Sequence, residues 1–407
     1  MKKVLNNKII QMFLIWRVWL FIPIILASIY IPFRENSLFT TLWQYVPKYQ
    51  LVENDLVYPW SNFDGVHYLA IASRGYINEG RFLPLFPILV RILILPLTLI
   101  WQVKPYGHLV FWSSLLLSNF FFILSLFYLK KLLKFDYKEK VINKTILLFL
   151  LFPTSFFFVA IYTESLFLLL TILTFYFARQ RKWYKAIFLS LLLTITRLPG
   201  VLILIPLLYE YISYELRIKI QFNNLVKVTK KVFTLRNIIK LLKFILIPLP
   251  LLIYAIFNYY KWQDPLYFVH AHGALGNSRE VSSMVFPLIT IYRYIKIFLS
   301  VSIKQYEFWV ALIEFISLIF AIIGIIFAYF KKIRPSYIIY SIAIISLPLL
   351  SGTLTGFPRY LLLSFPIFVG ISLQLDKNKW LWRILLIISI TFQTIFLALF
   401  SRGWFIA

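Results

Sequence analysis

The chain has 407 residues, of which 61% are hydrophobic, 19% aromatic and only 14% charged, with a formal net charge of +27 and no cysteine. Soluble proteins do not have this composition, and several apolar runs reach the ~20 residues that cross a bilayer. A soluble fold, disulfides and thiolate metal sites are therefore excluded. We predict one all-α, polytopic integral membrane domain over residues 1–407. Its positive charge is expected to set the topology, and no nucleic-acid partner is predicted.

Basic residues predict how the chain crosses the membrane. Six clusters hold 27 of the 42 lysines and arginines, at residues 2–8, 130–144, 179–185, 217–243, 331–334 and 377–383. The positive-inside rule places all six on the cytoplasmic side. About eleven transmembrane helices follow, with the C-terminus outside; they are expected near residues 9–31, 108–129, 145–160, 165–178, 186–197, 200–214, 241–260, 308–330, 336–351, 360–375 and 383–401. The first is expected to be a retained helix, because no small-residue cleavage site follows it.

Two apolar segments are not counted as crossings. Leu83–Trp101 contains three prolines and Arg91, and counting it would place the cluster at 130–144 outside. We interpret it as a juxtamembrane helix in a first extracytoplasmic loop at residues 34–107; a twelfth crossing is the alternative. Phe286–Ser300 is interrupted by basic residues in the same way. A basic cytoplasmic loop is predicted at residues 215–243.

The first outer loop carries the stretch Trp60-Ser-Asn-Phe-Asp64-Gly-Val-His67-Tyr68. Ionisable residues at a membrane boundary are costly and are functional candidates. Aromatic neighbours are expected to reduce the hydration of the Asp64 carboxylate and to raise its pKa toward that of a useful general base. The alternative is that Asp64 is only the N-cap of a helix over Val66–Ser73.

Further candidates are Glu164, Arg197 and Arg359. The turn at residues 162–165 would place Glu164 at membrane depth, where an unpaired carboxylate costs at least ~2.5 kcal/mol. Arg197 is the expected partner; either this pair is structural, or Arg197 holds a lipid phosphate with its guanidinium. Arg359 lies at an outer helix start, where it would bind an anion or anchor the helix among headgroups.

Metal binding and transport are the weaker alternatives for the polar residues of the outer segments. His270-Ala-His272 near Asp264, and the pair Glu53 and Asp55, resemble metal ligands only superficially, so no metal is predicted. A transporter would bind its substrate near the bilayer midplane. Here the polar residues gather at one face, and the sequence has no convincing internal repeat, which favours an enzyme. A transporter or flippase of a lipid-linked or anionic substrate remains the alternative.

Several blocks occur in the same order as in a known family: Trp60-x-x-Phe-Asp64-Gly-x-His67-Tyr68, Phe82-Leu-Pro-Leu-Phe-Pro87, Tyr162-Thr-Glu164-Ser165-Leu-Phe167, Thr196-Arg197-x-x-Gly200 and Pro358-Arg359-Tyr360. They resemble the PIG-V-type mannosyltransferases of GPI-anchor synthesis and their prokaryotic relatives, and a prokaryotic member is expected. The resemblance implies a GT-C-like glycosyltransferase of the plasma membrane with an extracytoplasmic active site. It implies a polyprenyl-phosphate sugar donor, most often of mannose, and a glycan, lipid or protein acceptor.

Under this resemblance we expect inverting transfer without a cofactor. Asp64 would be the general base, and His67 would orient Asp64 or the acceptor. The substrate-binding residues would be Tyr68, Tyr162, Glu164, Arg197 and Arg359. The two arginines would neutralise the leaving phosphate, which removes the need for a metal ion.

Overall fold

The computed structural model describes residues 7–34, 40–42, 55–99, 104, 106–218, 225–232, 234–271 and 284–406, and within these ranges it is helical, without strands. Helices are what apolar runs form in lipid, because each backbone polar group must then find its partner within the segment. The α-helices are α1 Lys8–Trp19, α2 Phe21–Tyr30, α3 Asp64–Arg74, α4 Leu85–Ile94, α5 His108–Leu133, α6 Glu139–Leu151, α7 Glu164–Arg179, α8 Trp183–Thr194, α9 Leu204–Glu210, α10 Leu225–Val232, α11 Leu235–Leu241, α12 Leu249–Trp262, α13 Tyr267–His270, α14 Pro287–Ser300, α15 Tyr306–Phe330, α16 Pro335–Leu350, α17 Phe357–Leu363, α18 Phe365–Gln374 and α19 Lys379–Ser401. Short 3₁₀ segments lie at Tyr58–Ser61, Leu95–Leu99, Ser155–Phe158, Leu198–Ile203 and Leu242–Leu246, and a π-helical segment at Tyr211–Glu215.

Within the described ranges, four apolar helical stretches are long enough to cross a membrane alone: Lys8–Tyr30 (α1 with α2), α5, α15 and α19. Two bent pairs would raise the number to six: Leu235–Leu246 with α12, bent by 43°, and α17 with α18, bent by 79°. The protein is thus a membrane protein with several long apolar helices. Each predicted crossing overlaps helical structure, but the predicted total near eleven also counts the shorter α6, α7, α8, α16 and the segment around α9.

The doubtful segments are short helices. Leu83–Trp101 contains α4 and the 3₁₀ segment to Leu99, and α4 packs against α3 and α5; residues 100 and 101 lie outside the described part. This length fits the predicted juxtamembrane helix. Phe286–Ser300 forms α14, of 14 residues. The predicted loop at 215–243 contains α10 and α11.

One predicted crossing, 145–160, has the wrong boundaries. α6 begins at Glu139 and ends at Leu151. It begins early because Glu139 lies at the helix start, where the helix dipole favours negative charge, and pairs there with Lys130. It ends early because Phe152 precedes Pro153, and a residue before proline is driven to extended backbone, here ψ 142°.

The core is formed by closely crossing helices. α7 packs against α5 and α8, and α18 packs against α15 and α6. At the crossing of α15 and α18, Gly324 and Gly370 face one another, and a Cβ built on Gly370 would lie 2.7 Å from the Gly324 carbonyl oxygen. Small residues let membrane helices approach this closely, so the crossing depends on both glycines.

The two ends of the bundle differ in character. Ion pairs join the predicted basic segments and bring them to one end: Lys140 and Lys144 with Asp376, Arg179 with Asp136, and Arg334 with Glu210. α7 runs ~24 Å from Glu164 to Arg179, so its first residue lies at the opposite end. There it meets α3 and α17, which carry the other candidate residues.

Candidate active site

Two carboxylates begin two helices at this end of the bundle. Asp64 is the first residue of α3, and Glu164 is the first residue of α7. Helix starts expose unpaired N–H groups and a positive dipole end, which stabilise nearby negative charge. The N-cap of α3 is Phe63, with φ 60° and ψ −114°. Asp64 is therefore not the helix cap that the sequence left open as an alternative.

Arg359 bridges the two carboxylates. Its Nη2 lies 2.7 Å from Asp64 Oδ2, and its Nε lies 3.0 Å from Glu164 Oε1. Arg197 donates to the same Glu164 oxygen. The predicted Glu164–Arg197 pair is therefore present, and it is half of a four-residue cluster, Asp64, Glu164, Arg197 and Arg359. The cluster joins residues as far as 295 positions apart in the chain.

Asp64 is the most exposed member of the cluster. The Asp64 side chain is 25% exposed and that of Arg359 is 12% exposed, whereas Glu164 is fully buried. Glu164 Oε2 is also buried and has no hydrogen-bond partner in the described part of the chain. The buried side of the cluster thus keeps one unused acceptor, while Asp64 is accessible to a ligand.

Aromatic rings surround the guanidinium groups. Arg359 lies over Tyr162 and Phe157, at 5.0 and 5.2 Å from the ring centres, and Arg197 lies 5.8 Å from the ring centre of Tyr360. The Tyr162 hydroxyl donates to the Asn62 carbonyl at 2.7 Å, which fixes the ring beneath Arg359. Tyr162 therefore meets the site through its ring, since its hydroxyl is already engaged.

The structure reverses the expected pKa shift of Asp64. Burial alone would raise the pKa of this carboxyl, as the aromatic neighbours suggested. The positive charges of Arg359 and Arg81 and the hydrogen bond from Arg359 outweigh burial, and hold the pKa of Asp64 below its usual range. In this arrangement Asp64 is ionised but is a weak base as long as Arg359 holds it.

His67 lies one helical turn beyond Asp64, but its ring turns toward Phe82. The two rings stack with centres 4.9 Å apart and an angle of 22°. Among the described residues no hydrogen bond joins His67 to Asp64. Burial and then the charge of Arg81 lower the pKa of His67, so the imidazole is neutral at pH 7. A neutral ring can still accept or donate a hydrogen bond to an acceptor molecule.

Tyr68 packs beside the same aromatic group. Its ring meets Phe82 and Phe86 edge to face, at 5.1 and 5.6 Å, and its hydroxyl lies 3.4 Å from Thr163 Oγ1. This position places Tyr68 between α3 and the start of α7. The seven residues predicted for the site thus come together at one end of the bundle, five around the carboxylates and His67 and Tyr68 beside Phe82.

Arg81 is a residue of this region that the sequence did not single out. Its guanidinium lies 4.6 Å from the ring centre of Phe82, on which His67 stacks. In the described ranges no carboxylate lies within ion-pair distance of Arg81. A signal was present, because Arg81 directly precedes the block Phe82-Leu-Pro-Leu-Phe-Pro87. It adds a positive charge near Asp64, whose pKa it helps to lower.

The weaker metal candidates do not gather ligands. His270 Nδ1 lies 2.7 Å from Asp264 Oδ2, and Asp55 pairs with Arg402 at 2.6 Å. Glu53 and His272 lie outside the described residues. Across the described part of the chain, no group of three or more histidines and carboxylates is placed to hold a metal ion.

The chemistry available here is that of an ionised carboxylate, partly open to a ligand, beside cations that can receive negative charge. Comparison with known proteins gave one family. The family model described as Mannosyltransferase (PIG-V) matches residues 4–347, a range that includes Asp64, Glu164 and Arg197 but ends before Arg359. No curated protein and no solved structure matches the chain. Since the family model covers most of the 407 residues, the chain belongs to the PIG-V mannosyltransferase family and is a membrane glycosyltransferase.

Proposed function

We propose that this enzyme transfers mannose from a polyprenyl phosphate to an acceptor on the extracytoplasmic face of the membrane, with inversion at the sugar. The observation that supports it is the cluster of Asp64, Glu164, Arg197 and Arg359, in which an accessible carboxylate adjoins cations. Such a pairing suits a reaction that removes a proton at one point and releases a phosphate at another. The GT-C-like architecture proposed from the sequence agrees with this chemistry.

The reaction forms one bond and breaks one bond. The acceptor hydroxyl oxygen attacks the anomeric carbon, and the bond from that carbon to the phosphate oxygen breaks, with the electron pair leaving on the polyprenyl phosphate. The hydroxyl proton passes to Asp64. Phosphate leaves as an anion without needing an acid, so the protein has to stabilise charge at that oxygen, and guanidinium groups do so well.

Donor binding would change the state of the base. Arg359 holds Asp64 at 2.7 Å and keeps its pKa low. A donor phosphate would compete for the same guanidinium, and once Arg359 turns to it, Asp64 loses the hydrogen bond and the larger of the two positive charges that lower its pKa, so its pKa rises. Asp64 then becomes a stronger base only when the donor is present. This exchange limits proton abstraction to the loaded enzyme.

The remaining residues take supporting roles. Arg197 would bind the donor phosphate beside Arg359, and Arg81, which has no carboxylate partner in the described ranges, would add a third cation. Glu164 would accept from a sugar hydroxyl with its unpartnered Oε2. His67 and Tyr68 would contact the acceptor. The polyprenyl tail would lie along the apolar helices, in the bilayer.

The test is Asp64→Asn in purified protein supplied with polyprenyl-phosphate mannose. The amide has nearly the same shape but does not take the proton, so we expect transfer to fall ~10²- to 10⁴-fold, with donor binding retained. Asp55→Asn is a matched control, since Asp55 also pairs with an arginine and is similarly exposed, at 28%. It should transfer at the wild-type rate.

Equal turnover before and after Asp64→Asn would reject the base assignment. If no lipid-linked sugar is transferred at all, yet labelled substrate crosses proteoliposomes that contain the protein, the transporter alternative is correct instead. The donor series in the same assay, with mannose, glucose or arabinose on the polyprenyl phosphate, identifies the sugar.

A further inference from the structure

Glu314 is a carboxylate inside the apolar helix α15, and the cluster around Asp64 does not include it. It lies ~12 Å along the helix from Tyr306 and is 3% exposed. Its Oε1 accepts from the Gly356 N–H at 3.1 Å, and its Oε2 accepts from the Tyr294 hydroxyl at 2.5 Å. A carboxylate at this depth is costly in lipid and marks a functional candidate.

Tyr294 extends this hydrogen-bond network to the segment between α16 and α17. It lies on α14, and its hydroxyl oxygen accepts from the Leu354 N–H at 3.0 Å. Two further side chains of α14 bind the chain nearby: the Thr290 hydroxyl donates to the Leu349 carbonyl at the end of α16, and Arg293 donates to the Gly352 carbonyl. Residues 351–356, which we call the α16–α17 loop, are thus bound along their backbone by α14 and α15.

This loop leads directly into the helix that carries Arg359. Gly356 is the N-cap of α17, with φ 78°, a left-handed backbone that favours glycine. Its N–H is bound by Glu314, and its carbonyl accepts from the Arg359 N–H at 3.0 Å. Two consecutive hydrogen bonds therefore connect Glu314 to the backbone of Arg359.

We propose that Glu314 and Tyr294 are positioning residues for Arg359. By fixing the α16–α17 loop, they hold the Arg359 guanidinium where it reaches Asp64 and Glu164, and where it would receive the donor phosphate. The second part rests on the proposed function. The competing explanation is that the two residues only satisfy buried backbone groups and stabilise the fold.

The test combines hydrogen exchange with a double-mutant cycle. Tyr294→Phe removes one hydroxyl, and Glu314→Gln keeps an acceptor for Gly356, so both are mild changes. Tyr292→Phe is the matched control, because Tyr292 lies on the same helix but is 64% exposed. We expect amide exchange over residues 352–360 to rise in Tyr294→Phe and to stay at the wild-type rate in Tyr292→Phe, with apparent Tm unchanged in both. The exchange measurement reports on the α16–α17 loop whether or not mannose is the substrate.

The activity part separates positioning from stability. Small misplacements remote from the chemistry can cost roughly 10- to 100-fold, and we expect Tyr294→Phe to lose transfer in this range. In an Arg359→Lys background, the same substitution should cost less than about twofold, because residues that act through one group are not additive. Glu314→Gln should retain more transfer than Glu314→Leu.

Three results would overturn the proposal. The first is that the losses of transfer caused by Tyr294→Phe and by Arg359→Lys multiply in the double variant. The second is that amide exchange over residues 352–360 stays at the wild-type rate in Tyr294→Phe. The third is that Tyr294→Phe transfers at the wild-type rate despite faster exchange. An absence of transfer in the wild-type protein would instead reject the proposed function, and the exchange result would still decide whether the loop is held by Tyr294.

Discussion

At the scale of single residues, Glu164 has two cationic partners and Asp64 has one. Glu164 is fully buried and pairs with both Arg197 and Arg359. Breaking a buried ion pair by removing one partner typically costs ~3–5 kcal/mol, because the other charge is left uncompensated. Loss of Arg197 alone still leaves Glu164 with Arg359. The effect of a substitution on transfer can therefore be distinguished from its effect on stability more easily at Arg197 than at Arg359.

Arg197→Gln is the corresponding prediction. If Arg197 binds the donor phosphate, transfer should fall by ~10²- to 10³-fold, as when one donor to a developing oxyanion is removed, with weaker donor binding and a nearly unchanged apparent Tm. Arg197→Lys should retain partial activity, since it keeps the charge and loses the two-pronged geometry.

The alternative is that Arg197 serves only to neutralise Glu164. The double variant Glu164→Gln/Arg197→Gln, assayed beside the single ones for transfer and Tm, distinguishes the two. Under that alternative it would recover near-normal transfer, because no uncompensated charge remains. We expect it to stay inactive.

At the scale of helices, the crossing of α15 and α18 constrains the position of Arg359, because α17, which carries Arg359, packs against α15 and leads directly into α18. Gly370→Ala would place a Cβ 2.7 Å from the Gly324 oxygen and 2.8 Å from the Ala328 nitrogen. Both are backbone atoms that a rotamer change does not move, so the helices must separate. We expect a loss of about 1–3 kcal/mol of stability, measured as a lower apparent Tm in detergent.

Gly324→Ala is the comparison for this crossing. Its Cβ would first meet Ile367 Cγ2, a side-chain atom, at 2.4 Å. Ile367 is fully buried, and a β-branched side chain has one strongly preferred χ1 rotamer in a helix, so we expect a loss of stability similar to that for Gly370→Ala. Equal Tm values for Gly370→Ala and the wild type would mean that the helices do not touch at this point.

Much of the helical pattern could be predicted from the sequence, and the exceptions have physical causes. Long apolar runs such as Tyr306–Phe330 can be recognised as helices from the sequence, because few other backbone structures are stable in lipid. The start of α6 was placed too late because its charged first turn belongs to the helix but not to the apolar run. The 79° bend between α17 and α18 lies at Ser364, whose hydroxyl donates to Ser341 of α16, 23 residues away in the chain.

The members of the ion-pair cluster could be predicted from the sequence, but their pairing could not. Motif residues at positions 64, 164, 197 and 359 identified the cluster, but their sequence did not indicate that Arg359 would bridge two carboxylates and lower the pKa of Asp64. Glu314 was missed although a lone carboxylate in an apolar helix is itself a signal. Its role depends on Gly356, which only the fold brings to it.

At the scale of the whole molecule, the two ends of the bundle are expected to face opposite sides of the membrane. The chain has no cysteine, so single cysteines report without background. Lys304→Cys, exposed before α15, should react with an impermeant maleimide in intact cells. Lys182→Cys, exposed between α7 and α8, should react only after permeabilisation, because the positive-inside rule places its end in the cytoplasm.

The reverse labelling pattern would place Asp64 on the cytoplasmic face. The proposed extracytoplasmic reaction would then be wrong, even if the mannosyltransferase activity itself were confirmed. Labelling of both cysteines in intact cells would indicate damaged membranes. A cytoplasmic marker protein is the control, because it becomes labelled only if the reagent has entered the cells.

The 295 residues that separate Asp64 from Arg359 also govern when a newly made molecule becomes competent. Translation adds about 5–20 residues per second, so the ribosome needs about 15–60 s to produce the arginine after the aspartate has been made. During that time Asp64 lacks the arginine that pairs with it, and Glu164 has one of its two arginine partners. If the proposed reaction needs this arginine, a nascent chain stays inactive until nearly all of its helices have been made.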